Sequence, residues 1–143
     1  HIQDTYNLGA IIRSCVAAGA EGVIIPDRGA APVTAATIKT SAGTASEIPI
    51  ARVGNLSQVI DQLKERGYWI VGAEGSGSTS MFEMDWDRPL GIVIGSEEKG
   101  MGRLMRESCD YLVRIPMRGK AESLNASVAA GILLFQASLG RPE

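Results

Sequence analysis

Residues 95–127 read GSEEKGMGRLMRESCDYLVRIPMRGKAESLNAS, and the fold turns on this stretch. It holds a glycine-bounded acidic loop from Gly95 to Gly100, a strand that exits through Ile115, Pro116 and Met117, and a helix start at Ser123-Leu124-Asn125. Each leaves backbone N–H and C=O groups free at the end of a regular element. Free backbone groups of this kind are what a polar small molecule needs, so the segment reads as a small-molecule site.

Outward from it, short apolar runs alternate with amphipathic stretches. Asn7 to Ala18 sets Leu8, Ile11, Ile12, Cys15 and Val16 on one helical face, with Gly19 as a stop before a strand from Gly22 to Ile25. Pro32 to Ser41 reads as a short helix and Ile48 to Val53 as a strand. Leu56 to Arg66 carries Leu56, Val59, Ile60 and Leu63 at helical spacing and ends at Gly67. Tyr68 to Ala73 and Leu90 to Ile94 are continuous apolar runs, as in strands covered on both faces. Gly102 to Cys109 reads as a helix, Tyr111 to Ile115 as a strand and Asn125 to Leu139 as the last helix. This alternation predicts an α/β fold, a mostly parallel sheet with helices on both faces. Gly75 to Ser80, GSGSTS, is expected to be a mobile surface loop.

Composition bounds the chemistry. The 143 residues, 45% hydrophobic and 21% charged, suit one globular domain, residues 1–143. His1 is the sole histidine, which argues against Ser-His-Asp and Cys-His catalysis and against His-based zinc sites; no metal is implied. Cys15 and Cys109 are far apart, without metal-ligand or disulfide spacing, and no apolar run or leader pattern points to a membrane. A reducing, cytoplasmic setting is the expectation. The net charge of −2 opposes a domain-wide electrostatic clamp on nucleic acid. Lys99, Arg103, Arg106, Arg114, Arg118 and Lys120 nevertheless face only Glu107 and Asp110 between residues 99 and 120. That segment is either a phosphate-facing patch or a solvated basic face.

Nucleotide-binding fingerprints fail. Gly95 and Gly100 have P-loop spacing, but Met101 and Gly102 stand where Lys and Ser/Thr should follow, and Ser80 occupies the third glycine position after Gly75-Ser-Gly77. Three conjoined patterns remain. Asn7-Leu-Gly9-Ala-Ile-Ile-Arg13 opens the first helix, Gly95-Ser-Glu97-Glu-Lys-Gly100 follows a buried strand, and Ser123-Leu-Asn125-Ala-Ser127 precedes the last helix.

In this order and at these separations they resemble the three motifs of the SpoU (TrmH) family of RNA ribose 2′-O-methyltransferases. Within it, the chain most resembles the catalytic domain of bacterial 23S rRNA guanosine 2′-O-methyltransferases. The resemblance implies the SPOUT architecture, a parallel sheet whose C-terminal segment forms a trefoil knot, which nothing in the composition or periodicity suggests. It implies S-adenosylmethionine as cofactor, held by backbone around Gly95, Ile115 and Leu124, with Ala73, Gly75, Pro116 and Met117 nearby. Apolar strand ends with free donors and acceptors would suit an adenine. It implies a homodimer acting on structured RNA, rRNA more than tRNA, because the basic extensions usual in the tRNA enzymes are not seen here. A non-catalytic RNA-binding module on the same fold is the rival reading. An apolar strand ahead of Asp4 and a separate N-terminal RNA-binding domain, both usual in the family, are expected to be missing from this chain.

The resemblance gives Asn7, Arg13, Glu97, Ser123 and Asn125 to the active site, and Arg13, Arg114, Arg118 and Lys120 are expected to contact RNA. By itself Arg13 reads as an exposed helix charge or a salt-bridge partner. Its guanidinium, with a pKa above about 12, is a poor general base, so phosphate binding and ribose orientation are easier to defend than proton abstraction. Glu97 also reads as a strand-end carboxylate satisfied by loop N–H groups, and Ser123 and Asn125 as helix caps. Glu98 stands where the family often has glycine, which leaves the loop conformation open. Met81, Met84, Met101, Met105 and Met117 read as packing.

Overall fold

The computed structural model describes residues 5–27, 47–95, 100–121 and 123–139; the helix expected over Pro32 to Ser41 lies outside them. Helix α1 spans Thr5–Ala18 and buries Leu8, Ile11, Ile12 and Cys15, the face that the 3.6-residue period selects. It stops at Gly19, whose φ of 81° lets Gly19 N–H reach the Val16 carbonyl and Ala20 N–H the Cys15 carbonyl. Strand β1 (Val23–Pro26) pairs in parallel with β2 (Ile50–Val53). Helix α2 (Leu56–Glu65) starts at Asn55, whose side chain accepts from Gln58 N–H at 3.1 Å. The same glycine stop ends it, with Gly67 at φ 91° and Tyr68 N–H bonded to the Leu63 carbonyl.

The second sheet is also wholly parallel. It contains β3 (Trp69–Ala73), β4 (Thr79–Ser80), β5 (Leu90–Val93) and β6 (Tyr111–Arg114), in the order β4-β6-β3-β5. Helix α3 (Arg103–Ser108) precedes β6, and α4 (Ala126–Ser138) follows it. Side-chain alternation sends Val71, Ala73 and Val113 to one face, where they cluster with Leu133 of α4. Ile70, Gly72 and Leu112 take the other face: Cys109, Met101 and Leu112 crowd Gly72, and Ile70 and Leu63 flank Gly91. Helices thus cover both faces, as the alternation predicts. Val71, Val113 and Leu133 are essentially inaccessible to solvent, a burial that stabilises by about 1.5–3 kcal/mol for each aliphatic side chain of this kind. Helices α1 and α4 pack together where Gly131 faces Ser14.

Among the described residues the two sheets do not join. Between β1 and β5 lies a cleft of about 1050 Å³, lined mainly by aliphatic side chains such as Ile11, Ile25, Ile50, Ile60 and Leu90. None of the described residues expected in the active site, Asn7, Arg13, Ser123 and Asn125, lines it.

The expectation of a mobile loop over Gly75 to Ser80 is overturned. Thr79 and Ser80 form β4, paired with Val113 and Arg114 of β6, while Ala73 of β3 pairs with the same Val113 from the other side. A parallel connection ordinarily takes a dozen or more residues. Here residues 74–78 alone carry the chain from one side of β6 to the other. They cross it so closely that a Cβ on Gly77 would lie 2.5 Å from the Leu112 carbonyl oxygen. The flexibility that a glycine- and serine-rich composition suggests is cancelled here by direct backbone packing.

Candidate active site

Because β5, β3 and β6 are adjacent and parallel, their C-terminal ends share one edge of the sheet. Gly72 is opposite Val93 and Ala73 opposite Val113, so Gly95 and Ile115 each lie two residues beyond a paired position. The fold thereby brings Ala73, Gly75, Gly95 and Ile115, far apart in sequence, onto neighbouring strand ends. Such an edge is where parallel α/β sheets bind ligands, since the ladder no longer uses the backbone groups there. Pro116 is half-buried, and Met117 and Leu124 are 37% and 36% exposed. Met117 is therefore less a packing residue than Met81, Met84 and Met101, which are buried.

Glycine has separate reasons at Gly75 and Gly95. A Cβ on Gly95 would overlap the backbone of Gly100 and Met101, so the chain at Gly100 lies directly against the end of β5. A Cβ on Gly75 would meet nothing within 4 Å among the described residues, so bare backbone is exposed there. Glu97 and Glu98 lie outside the described residues.

Asn125 is the N-cap of α4. Its Oδ1 accepts from Ser127 N–H at 2.9 Å and from Ser127 Oγ at 2.5 Å, which satisfies one orphan donor of the helix. With the oxygen committed, the side-chain NH₂ remains to donate outward. Ser123 is exposed and makes no side-chain hydrogen bond among the described residues. Asn7 is 5% exposed on the packed side of α1. Arg13 is on the solvent side of that helix, with no ion pair or hydrogen bond among the described residues. Among the described residues no hydrogen bond or ion pair joins Arg13 to the strand ends.

The basic segment divides. Arg103 pairs with Glu107 at 3.0 Å, both well exposed, and such a pair contributes little. Arg106 Nε is 2.9 Å from Glu74 Oε1, and Arg114 Nη1 donates to the Gly77 carbonyl at 3.0 Å. Arg118 and Lys120 are exposed and without partners among the described residues. The cluster of cations in the sequence is thus partly spent on internal contacts, most of them with the segment that crosses β6. Glu74 and Gly77 carried no sequence signal: one is a lone carboxylate after a strand, the other one of several glycines.

Burial pushes the thiols of Cys15 and Cys109 up to about 11; at Cys109 the Lys64 charge opposes this and Asp110 and Glu74 add to it. Neither is a nucleophile near neutral pH. Among the described residues no group of three or more His, Cys, Asp and Glu could hold a metal ion, and no helix is long and apolar enough to cross a membrane.

Similar proteins are known by sequence and by fold. YacO of Bacillus subtilis (strain 168), named for the TrmH family of tRNA/rRNA methyltransferases, is 49% identical over 135 residues, 94% of this chain and 54% of that protein. An uncharacterized tRNA/rRNA methyltransferase of Mycobacterium avium (strain 104) is 49% identical over 141 residues, 99% of this chain and 46% of that protein. The chain thus spans about half the length of the curated relatives it matches. Among solved structures, the SpoU methyltransferase AviRb from Streptomyces viridochromogenes, crystallised with AdoMet, superposes with a TM-score of 0.91 at 35% identity. The match covers 99% of this chain and 58% of that one. An AdoMet-bound rRNA methyltransferase from Sinorhizobium meliloti has a TM-score of 0.91 at 33% identity, over 100% of this chain and 55% of that one. Matching the model of the SpoU rRNA methylase family from residue 1 to residue 135, the chain belongs to that family.

Proposed function

We propose that this chain is the catalytic domain of an S-adenosylmethionine-dependent ribose 2′-O-methyltransferase that acts, as a homodimer, on structured RNA, with a guanosine of 23S rRNA as the target. The observation that carries the reading is the convergence of Ala73, Gly75, Gly95 and Ile115 on adjacent parallel strand ends. The residues fit the cofactor: bare glycine backbone at Gly75, apolar Ile115 and Met117, and Leu124 ahead of the α4 cap supply the walls and donors that an adenosine needs. When bound, S-adenosylmethionine supplies the activated methyl group.

The chain's own part is positioning and the handling of one proton. Transfer to a hydroxyl requires an in-line approach, and orientation alone is worth several orders of magnitude in rate. Asn125 is rigid because the α4 cap holds its oxygen, so its NH₂ can fix a ribose or cofactor oxygen without an ordering penalty. Ser123, two residues before it, offers an exposed hydroxyl, and Asn7, buried near the start of α1, is assigned a positioning role. Arg13 has the permanent charge and planar fork to hold an RNA phosphate and orient the ribose. Glu97 is the carboxylate we assign to the proton. Arg118 and Lys120 are the exposed cations suited to further phosphates. Arg114, expected to join them, is half-buried and has a donor engaged within the chain.

Dimerisation is supported by α4, where Val128 and Phe135, seven residues apart and so on one helical face, are each 49% exposed, and by Leu139 just beyond its end, 69% exposed. The cleft between β1 and β5, apolar and bordered by two strands, suits the additional strand that the resemblance expects ahead of Asp4. The test has two arms: calorimetric titration with S-adenosylmethionine, and mapping of ribose methylation in rRNA from cells lacking the protein. One cofactor site per chain and one missing guanosine methyl group are expected. No heat and no thermal shift with the cofactor would remove the methyltransferase reading, and a lost methyl group on tRNA instead would move the substrate.

A further inference from the structure

We propose that Arg114 is a positioning residue for the cofactor and that, with Arg106, it buckles residues 74–78 across β6 to form a fixed rim of the binding edge. The inference rests on the proposed cofactor reading and adds residues to it.

Three observations support it. The first is the crossing: Ala73 and Thr79 flank the same residue, Val113, so the five residues between them must pass over β6. The second is that each end of the crossing is tied by an arginine from a different element. Arg114, on the strand beneath, donates from Nη1 to the Gly77 carbonyl at 3.0 Å, and Arg106, on α3, holds the Glu74 carboxylate at 2.9 Å. Two backbone bonds complete the buckle: Glu74 N–H to the Val113 carbonyl at 2.9 Å and Gly77 N–H to the Glu74 carbonyl at 3.0 Å. The third is what lies between the ties. Gly75 and Ser76 are exposed, and among the described residues nothing lies within 4 Å of where a Gly75 Cβ would be, so backbone fixed at both ends is left open to a ligand.

A segment this rich in glycine and serine would otherwise sample many conformations, and a ligand would have to order it on binding. Hydrogen bonds from a charged donor are roughly twice as strong as neutral ones, so two guanidinium ties remove much of that cost in advance. Arg114 thereby serves the cofactor rather than an RNA phosphate, although the sequence groups it with Arg118.

Arg114 and Arg118 should therefore separate in experiment. Arg114→Ala, Arg114→Lys and Arg118→Ala are compared with the wild-type chain by calorimetric titration with S-adenosylhomocysteine, salt dependence of binding to a 23S rRNA transcript, and backbone hydrogen exchange. Arg114→Ala should weaken S-adenosylhomocysteine about tenfold, the scale of one lost charged hydrogen bond, and speed exchange over residues 75–79. Its RNA salt slope should not change. Arg114→Lys, which keeps one charged donor, should recover much of the affinity. Arg118→Ala should do the reverse, leaving the cofactor untouched and reducing the salt slope by roughly one.

Unchanged cofactor affinity in Arg114→Ala, or a slope reduced as in Arg118→Ala, overturns the proposal. So does a lowered melting temperature with no loss of affinity, which would make Arg114 merely structural. If Arg114→Ala does not fold, Glu74→Ala cuts the Arg106 tie and should weaken S-adenosylhomocysteine by about threefold; unchanged affinity there counts against the proposal equally. A wild-type chain that binds no S-adenosylhomocysteine removes the cofactor reading itself, a result distinct from wild-type binding that the variants leave intact.

Discussion

Two glycines two residues apart, Gly75 and Gly77, should respond in opposite ways to the same substitution. At Gly77 an added Cβ would lie 2.5 Å from the Leu112 carbonyl oxygen, 2.7 Å from its carbon and 3.0 Å from the Glu74 oxygen. All three are backbone atoms, so no rotamer change relieves the overlap. Absorbing it costs about 1–3 kcal/mol, toward the upper end where the neighbours cannot move. Lifting the segment off β6 instead sacrifices the Gly77–Glu74 backbone bond, about 1 kcal/mol, and the Arg114 tie, about 1.5–3 kcal/mol. Either cost is offset by about 0.4–1 kcal/mol, because alanine lowers the entropy of the unfolded chain. The net expectation for Gly77→Ala is a loss of about 2–3 kcal/mol, or roughly 6–12 °C in melting temperature for a chain of this size. Among the described residues no atom lies within 4 Å of where a Gly75 Cβ would be, and its φ is not positive, so Gly75→Ala should be neutral or stabilising by up to about 1 kcal/mol. Thermal and urea unfolding followed by circular dichroism measure both. A Gly77→Ala protein melting within about 2 °C of wild type, or equal losses in the two variants, would refute the close crossing of β6.

Arg13→Ala should lower methyl transfer on the order of a hundredfold or more, the scale of a positioned catalytic group, with cofactor affinity and melting temperature unchanged; single-turnover methylation beside calorimetry tests this, and near-wild-type turnover ends the claim. Asn125→Ala should destabilise by about 1 kcal/mol through loss of the α4 cap, while Asn125→Ser, which keeps a capping oxygen, should unfold near the wild-type midpoint; equal destabilisation in both would show that the cap is not the cause. Cys109, with its thiol pushed up to about 11 by burial, stays protonated below that value, so iodoacetamide at pH 8 should label it on the order of a hundredfold more slowly than free cysteine. Labelling should accelerate as pH rises toward 11, and rapid labelling at pH 8 would contradict the burial.

Helices and strands were legible because their signals are local. Leu8, Ile11, Ile12 and Cys15 occur at the helical period and Gly19 at the stop, and the same logic read a helix from Leu56 to Arg66 with its stop at Gly67, without the Asn55 cap. The apolar runs from Tyr68 to Ala73 and from Leu90 to Ile94 announced strands covered on both sides, which the structure gives as Trp69–Ala73 and Leu90–Val93. Asn125 was legible as a cap from residue type and position, and the three motifs together identified the family. Gly75 to Ser80 was misread because composition reports only what a segment does when nothing holds it. Its order comes from β6, more than thirty residues later, and from Arg106 and Arg114.

Sequence by itself thus determined the described elements other than β4, their alternation into a parallel α/β sheet and the residues eligible for chemistry, because periodicity, capping and apolar runs act over a few neighbouring residues. Tertiary structure alone decided the strand order β4-β6-β3-β5, with β6 inserted between two strands joined by five residues. It also divided the basic segment, engaging Arg106 and Arg114 internally while Arg118 and Lys120 stay exposed. These outcomes depend on contacts between distant residues, and a charge or a glycine looks the same in sequence whether solvent or another strand faces it.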